Sequence, residues 1–158
     1  MAKGIVIYHS KTGNTKQMAE IIAKGMNDAK LATECKSIEN VKAKDLLDYQ
    51  AIVIGSPTYY GQMAWQLKQL IDDMVSNHGA LDGKVGAAFS SAANIGGGNE
   101  TTVMGIIEAM LIAGMVIHGD PQGDHYGPVS IGKPDQRVER QCSRRGQRIG
   151  ELTRKLFP

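Results

Sequence analysis

The sequence predicts a doubly wound α/β fold, in which a parallel sheet lies between two layers of helices. Two observations predict it. Short apolar, β-branched runs alternate with segments of helical spacing along the chain, and three of those runs are apolar almost throughout. Strands without polar alternation are typical of parallel sheets that are buried on both faces. We therefore expect one domain of this three-layer type over residues 1–158, without linkers or repeats.

The expected strands lie at residues 4–8, 33–38, 51–55, 85–90 and 115–119. Between them, apolar residues three or four positions apart predict helices. These residues are Met18, Ile21, Ile22 and Met26 in the first helix, Met63, Leu67, Leu70, Ile71 and Met74 in the second, and Val103, Ile106, Ile107, Met110 and Leu111 in the third. Residues 45–49 predict only a short helical turn before the third strand.

A last helix is indicated by one apolar side, which consists of Val138, Cys142, Ile149, Leu152 and Leu156. Gly146 and Gly150 lie four positions apart, and we expect them to let this helix sit close to the sheet at some cost in helix propensity. Residues 134–158 carry seven Lys/Arg and three Asp/Glu. We expect this basic stripe to be a solvated helix face, and no aromatic residues interleave its arginines as in a nucleic-acid interface.

Composition and residue spacing argue against a membrane-spanning, secreted, disulfide-rich or metal-binding protein. Hydrophobic residues make up 42% of the chain and charged residues 22%, both ordinary for a globular protein. No apolar run is long enough to span a bilayer, and the start of the chain does not resemble a signal peptide. Cys35 and Cys142 suggest neither a disulfide framework nor a metal site, and the four histidines lack ligand spacing. These patterns predict a cytoplasmic protein with free thiols, no bound metal and no nucleic-acid partner.

The most informative segment follows the first strand, where small polar residues lead directly into the first helix. The first N–H groups of a helix have no internal partner, so a strand that feeds a helix through such residues forms an anion site. Ser10, Thr12, Asn14 and Thr15 add polar side chains, and Gly13 permits a close approach. We expect a phosphate here, although neither a Walker loop nor a dinucleotide fingerprint is present. The alternative is a polar turn capped by Asn14 or Thr15.

Two further loops follow the third and fourth strands, at residues 55–61 and 90–100. The second loop holds Tyr59 and Tyr60 between a proline and a glycine, which suits contact with a flat ring. Its alternative is a turn with one tyrosine in the core. The third loop is rich in glycine and could surround a ligand with N–H groups, or it could be a connector in which Asn99 or Thr101 caps the next helix. Ligands bind at the carboxyl ends of the strands in open parallel sheets, so a phosphate at one loop and a ring at the others predict flavin mononucleotide (FMN).

These motifs carry a family resemblance over nearly the whole chain. Residues 6–22 resemble the phosphate-loop signature of flavodoxins along its full length, and four further stretches are similar to flavodoxin-like NAD(P)H:quinone oxidoreductases of the WrbA type. Those stretches are residues 55–63, 89–91, 96–102 and 126–128. The resemblance implies a flavodoxin-like three-layer sandwich with five parallel strands in the order 2-1-3-4-5, and FMN as the cofactor.

The resemblance also implies the binding residues. For the FMN phosphate these are Ser10, Lys11, Thr12, Gly13, Asn14 and Thr15. For the isoalloxazine ring they are Pro57, Thr58, Tyr59, Tyr60, Gly61, Ser91, Ala92, Ala93, Asn94, Ile95, Gly96 and Gly97.

Two departures from the quinone-reductase pattern bear on function. Ala113 stands where those enzymes carry a histidine beside the flavin, and two segments that help them to build a tetramer are much shorter here. Two functions therefore stay open. One is a carrier that passes electrons through FMN between partner proteins, and the other is an NAD(P)H:quinone oxidoreductase, for which a homo-oligomer is possible. His125 and Tyr126 either approach the flavin or lie in an exposed loop, and Trp65 either covers the ring edge or serves an oligomer contact.

Overall fold

A computed structural model describes all 158 residues and contains four α-helices and six strands. The strands are β1 (Lys3–Tyr8), β2 (Ala32–Ser37), β3 (Ala51–Pro57), β4 (Val85–Ala92), β5 (Val116–Ile117) and β6 (Val129–Ile131). The helices are α1 (Asn14–Asp28), α2 (Trp65–Asp73), α3 (Asn99–Ile112) and α4 (Gln136–Leu156). Short 3₁₀ helices span Ile38–Asn40, Ala43–Asp48 and Met74–Asn77, and the second of them is the helical turn that the sequence predicts. None of the helices is long and apolar enough to cross a membrane.

The sheet is parallel throughout, and its order β2-β1-β3-β4-β5 confirms the predicted order. The central strands are buried along nearly their whole length, as their continuous apolar runs indicate. Tyr8 of β1 lies level with Gly55 of β3, and Pro57 lies level with Ser91 of β4. Because these strands share one direction and are in register, the loops that follow them start from the same edge of the sheet.

The edge beyond β4 differs from the prediction of one strand at residues 115–119. β5 pairs only with Val85 and Gly86, and β6 pairs with β4 further along, from Ser90 to Ala92. The two short strands thus occupy one edge position, and residues 118–128 leave the sheet between them. No apolar run announces β6, because three residues with one buried side chain give too little periodicity to detect.

Two apolar cores confirm the three layers. On one face of the sheet, Ile5, Ile52 and Ala88 pack with residues of α2 and α3. On the other face, Val6, Val53 and Phe89 pack with residues of α1 and α4. Alternate residues of each central strand therefore enter opposite cores, as the two-residue period of a strand requires.

The glycines of α4 contact α1 and not the sheet, which corrects the expectation for Gly146 and Gly150. A methyl group on Gly146 would lie 2.2 Å from the Ile22 carbonyl oxygen, and one on Gly150 would lie 2.8 Å from the Ala29 methyl carbon. A methyl group on Gly25 of α1 would lie 2.5 Å from the Ser143 carbonyl oxygen. The two helices therefore touch backbone to backbone, side by side on one face of the sheet.

Candidate functional site

The three predicted loops meet at the carboxyl edge of the sheet, and Ser91 joins them. The Ser91 carbonyl accepts a hydrogen bond of 2.7 Å from the Thr58 N–H of the second loop. Its side-chain oxygen lies 2.9 Å from that of Thr15, at the start of α1. Ser91 itself opens the third loop and is buried. One residue therefore holds all three loops in a single arrangement.

The first loop leaves the N-terminus of α1 without a side-chain cap. Gly13 occupies the N-cap position with φ 100°, a left-handed conformation that favours glycine. Neither Asn14 nor Thr15 caps the helix, which rules out the polar-turn alternative in that form. The Gly13 N–H instead donates to the Ser10 hydroxyl at 3.1 Å. The first N–H groups of α1 stay without side-chain partners, as an anion site requires.

The second loop contains a tight two-residue turn. Tyr59 and Gln62 exchange main-chain hydrogen bonds of 2.9 and 3.0 Å across it. Tyr60 and Gly61, between them, have φ angles of 50° and 76°, so both central residues are left-handed. Tyr59 is 41% exposed and Tyr60 fully exposed, and so neither tyrosine belongs to the core. Both aromatic rings are available to a flat ligand.

The third loop ends at an uncapped helix as well. Gly98 is the N-cap of α3 with φ 103°, and no side chain caps the helix. The expectation that Asn99 or Thr101 caps this helix is therefore wrong. The Asn99 side chain donates to the Ser130 carbonyl of β6 at 3.1 Å, and the Thr101 hydroxyl donates to the Gly61 carbonyl at 2.7 Å. Both side chains connect α3 to its neighbours.

A buried set of hydroxyl groups, whose role is not among the expectations from the sequence, supports the second and third loops. The Thr58 hydroxyl lies 2.8 Å from that of Ser90 and 3.2 Å from that of Thr102. The Ser56 hydroxyl accepts a hydrogen bond of 2.8 Å from the Ala64 N–H, where the chain enters α2. Ser56, Ser90 and Thr102 have no exposed surface. Serine at the end of an otherwise apolar strand is the signal that could have revealed Ser56 and Ser90, whereas Thr102 lies within α3 and has no such signal.

Residues 118–128 are fastened to α4 by arginines. The expectation of a solvated basic face is confirmed for Arg140, Arg154 and Lys155, which are exposed, and is wrong for Arg145, which is buried. Arg144 makes two hydrogen bonds of 2.7 and 2.9 Å to the buried carboxylate of Asp120. Arg145 is only 3% exposed. It donates to the carbonyls of His118, Asp124 and His125 at 2.6, 3.0 and 3.3 Å. The segment that separates β5 from β6 is therefore held by a fixed set of charged donors.

The electrostatics of this segment follow from those contacts. The hydrogen bonds from Arg144 hold the pKa of Asp120 at about 2, well below its ordinary value of 3.8. Burial lowers the pKa of His118, and the nearby Arg148 lowers it further. The Arg148 guanidinium donates to His118 Nε2 at 2.9 Å, which requires that nitrogen to be unprotonated. The contacts of this segment therefore favour the charged form of Asp120 and the neutral form of His118.

His125 and Tyr126 lie at the same edge of the sheet as the three loops. They line a cleft of about 210 Å³ together with Glu100, Val103 and Gly127. The Nδ1 atom of His125 lies 2.7 Å from the Asp120 carbonyl oxygen. Because a carbonyl only accepts, Nδ1 carries the proton in this contact, and Nε2 is left as the free ring nitrogen.

Of two residues singled out in the sequence, Ala113 lies apart from the loops, whereas Trp65 follows the second loop by four residues. Ala113 follows the C-terminus of α3 and lines an apolar groove with Ile71, Met74 and Leu81. Because α3 starts in the third loop and its 14 residues rise about 21 Å, Ala113 lies at the opposite edge of the sheet. Within one chain it is therefore not beside the candidate site. Trp65 begins α2 and is 72% exposed, in a surface groove with Ile38 and Val41.

Comparisons with known proteins agree with this architecture. The sequence model of one family, flavodoxin, matches residues 6–111. A flavodoxin from Aquifex aeolicus is 36% identical over 160 positions, which cover 96% of this chain and 86% of that protein. A protein named NAD(P)H dehydrogenase (quinone) from Archaeoglobus fulgidus is 32% identical over 190 positions, which cover 99% of this chain and all of that protein. The solved structure of a flavodoxin from the domain Archaea superposes with a TM-score of 0.81 at 32% identity, and covers 96% of this chain and 99% of its own.

Proposed function

The chain belongs to the flavodoxin family and is an FMN-binding redox protein, and from that premise we propose that it is an electron carrier between partner proteins. The observation that carries this proposal is the open rim of the candidate site. Tyr60, Ile95 and Tyr126 are all more than half exposed at the carboxyl edge of the sheet. Exposed aromatic and apolar side chains around a site suit the core of a protein interface. We infer that a protein partner approaches the cofactor there.

The residues present fit FMN. The uncapped N-terminus of α1 offers N–H groups and a favourable dipole to a phosphate, and Ser10, Thr12 and Asn14 surround it with polar side chains. Lys11 is the only cationic side chain within residues 10–15, so the phosphate charge would be met mainly by N–H and hydroxyl groups. The exposed rings of Tyr59 and Tyr60 suit a flat aromatic system.

Each loop would then have a distinct task. Residues 10–15 bind the phosphate, residues 57–61 contact the ring of the cofactor, and residues 91–97 direct main-chain groups at its edge. When bound, FMN supplies the redox chemistry, whereas the protein supplies binding, orientation and electrostatics. Ser91 holds the three loops in one arrangement through its contacts with Thr15 and Thr58. On these grounds we propose residues 10–15, 57–61 and 91–97 as the binding set.

Two specific observations favour a second candidate, an FMN-dependent NAD(P)H:quinone oxidoreductase. The cleft beside the third loop is lined by His125, whose Nε2 has no partner, and by Glu100, and side chains of these types can move a proton to a reduced acceptor. The Archaeoglobus fulgidus relative covers almost the whole chain, but its alignment spans 190 positions against the 158 residues here. The name of that relative supports the enzyme, whereas the difference in length agrees with the shorter segments expected from the sequence and favours the carrier.

An assembly would matter more to the enzyme than to the carrier. Ala113 lies at the edge of the sheet opposite the loops, and the neighbouring Leu111 and Ile112 are exposed. A residue at this position can meet a candidate site only in another copy of the chain. A homo-oligomer with contacts at this edge therefore belongs to the enzyme proposal, and sedimentation of the FMN-loaded protein tests it.

Steady-state kinetics separate the two functions. For a carrier we expect NAD(P)H oxidation by the FMN-loaded protein with a quinone acceptor to be far slower than an ordinary enzyme, whose turnover is about 1–10³ per second. We also expect an anaerobic redox titration to resolve two one-electron steps. Turnover in the ordinary enzyme range, with a single two-electron step, would overturn the carrier proposal and establish the oxidoreductase.

A further inference from the structure

The turn at Tyr59–Gln62 exposes one peptide group whose polar atoms are unused. Tyr59 and Gln62 satisfy each other across the turn. The Tyr60 and Gly61 N–H groups and the Tyr60 carbonyl have no main-chain partner. The peptide that joins Tyr60 to Gly61 is therefore the part of the second loop best able to form hydrogen bonds with a ligand. Its orientation depends on what holds the turn from outside.

The start of α3 holds the turn through the backbone. A methyl group on Gly98 would lie 2.5 Å from the Gly61 Cα, which is too close for any side chain there. Gly98 also has φ 103°, a conformation that L residues rarely adopt. The two glycines are thus in direct contact, and the N-cap of α3 forms one wall of the turn.

A single hydroxyl group completes this contact. Thr101 Oγ1 lies 2.7 Å from the Gly61 carbonyl oxygen and 3.0 Å from that of Gly98. A hydroxyl has one hydrogen to donate, and the shorter distance assigns it to Gly61. The Gly61 carbonyl therefore points at α3. This hydrogen bond fixes the plane of the Gly61–Gln62 peptide, which adjoins the exposed Tyr60–Gly61 peptide. Without the hydroxyl, the turn would keep its internal hydrogen bonds but would be held to the start of α3 only by the contact with Gly98.

We propose that Thr101 is a positioning residue: its hydroxyl holds the Tyr60–Gly61 turn against α3 and thereby sets the redox potential of FMN bound between the second and third loops. The second part of this inference depends on the proposed function, because it requires FMN at these loops. A polar group held at a fixed place beside a redox cofactor stabilises one oxidation state more than the other. Loosening the turn would reduce that difference.

Thr101→Val and Thr101→Ser separate the hydroxyl from the rest of the side chain. Valine keeps the shape and loses the donor, and serine keeps the donor and loses the methyl group. In the FMN-free protein we expect the amide hydrogens of Tyr59 and Gln62 to exchange about fivefold faster in Thr101→Val and at the wild-type rate in Thr101→Ser, since one lost hydrogen bond is worth about 1 kcal/mol. With FMN bound, we expect Thr101→Val to change the ratio of affinities for oxidised and reduced FMN by about tenfold, which is about 30 mV for a two-electron couple. Thr101→Ser should keep the wild-type potential.

Thr153→Val is the matched control. Thr153 makes the same kind of bond, 2.7 Å from its hydroxyl to the Ile149 carbonyl, but within α4 and away from the loops. This variant should leave both the turn and the potential unchanged.

The outcomes distinguish this inference from the proposed function. Unchanged exchange at the turn in Thr101→Val would overturn the positioning role, and so would a Thr101→Ser variant that behaves like Thr101→Val. Faster exchange with an unchanged potential would overturn the link to the cofactor. If the wild-type protein does not bind FMN, the proposed function fails, whereas the exchange measurement still decides whether Thr101 holds the turn.

Discussion

The Ser10 hydroxyl shows how a single side chain shapes the first loop. It accepts a hydrogen bond of 3.1 Å from the Gly13 N–H, across a loop that is otherwise exposed. The bond turns the loop so that the chain can enter α1 with Gly13 in a left-handed conformation. Residue-scale contacts of this kind decide whether the N–H groups of α1 face a ligand.

We predict that Ser10→Ala weakens FMN binding by about 1 kcal/mol, or roughly fivefold, because one hydrogen-bonding group is lost at the phosphate. The unfolding free energy should change little, since the loop is exposed. Titration of FMN fluorescence measures the affinity. Ser76→Ala is the control, because the Ser76 hydroxyl bonds to the Asp73 carbonyl near the other edge of the sheet. Equal affinities in all three proteins would contradict the phosphate assignment.

At the scale of elements, the contact between α1 and α4 keeps the N-terminus of α1 in place. It depends on glycines, because only a residue without a side chain lets the two backbones touch. A glycine in a helix costs about 1 kcal/mol relative to alanine. That cost is offset here by the close packing of the two helices.

In Gly146→Ala, a gain in helix propensity is opposed by a loss from overpacking. The added methyl group would lie 2.2 Å from the Ile22 carbonyl, a main-chain atom that cannot move away without shifting α1. Overpacking of this kind typically costs 1–3 kcal/mol, more than the gain of about 1 kcal/mol in propensity. We expect a net loss of up to about 2 kcal/mol in the unfolding free energy, measured in urea.

Gly105→Ala is the matched control for this comparison. A methyl group on Gly105 in α3 would meet only the Met63 methyl, at an ordinary 3.7 Å. The gain in helix propensity should then appear as a small increase in stability. A Gly146→Ala protein as stable as Gly105→Ala would show that the helices adjust without cost.

The attachment of residues 118–128 to α4 is a second feature at this scale, and it is sensitive to pH. Asp120 has its pKa depressed to about 2 by the hydrogen bonds from Arg144. A depressed carboxyl pKa contributes stability above the unfolded value of 3.8, and the contribution is lost as the pH falls through about 2. The shift corresponds to about 2 kcal/mol.

We predict that Asp120→Asn lowers the unfolding free energy at neutral pH by about 2 kcal/mol and reduces its slope between about pH 4 and pH 2. Urea unfolding of both proteins across this range measures the effect. Asp72→Asn serves as the control, because the Lys68–Asp72 pair is exposed and exposed pairs contribute little. Parallel pH profiles for wild type and Asp120→Asn would exclude this role of Asp120.

For the whole molecule, the candidate site couples ligand binding to folding. Its loops follow three different strands and meet only in the folded sheet, so FMN should bind the native state and not the unfolded chain. At a free concentration of one hundred times its Kd, FMN should raise the unfolding free energy by about 2.7 kcal/mol. Riboflavin at the same concentration should stabilise much less, because it lacks the phosphate for residues 10–15. Equal stabilisation by the two ligands would contradict the proposal that residues 10–15 bind the phosphate.

Much of this architecture could be predicted from the sequence because the signals are local. The apolar runs of β1, β3 and β4 and the helical spacing in α1 to α4 each lie within a few consecutive residues. The glycines and hydroxyl groups that follow the strands are equally local signals. They placed the three loops at the carboxyl edge of the sheet, and the family resemblance supplied the strand order.

What the sequence by itself determined is therefore the set of elements and the chemical character of each loop. Only the tertiary structure decided which residues meet: Thr15 bonds to Ser91, 76 positions away, and Arg145 is buried against residues 118–125 and not solvated. It likewise placed Ala113 at the far edge of the sheet and divided the last strand position between β5 and β6. The physical reason is that periodicity reports which side of an element is apolar, whereas a hydrogen bond between distant residues depends on how all the elements pack.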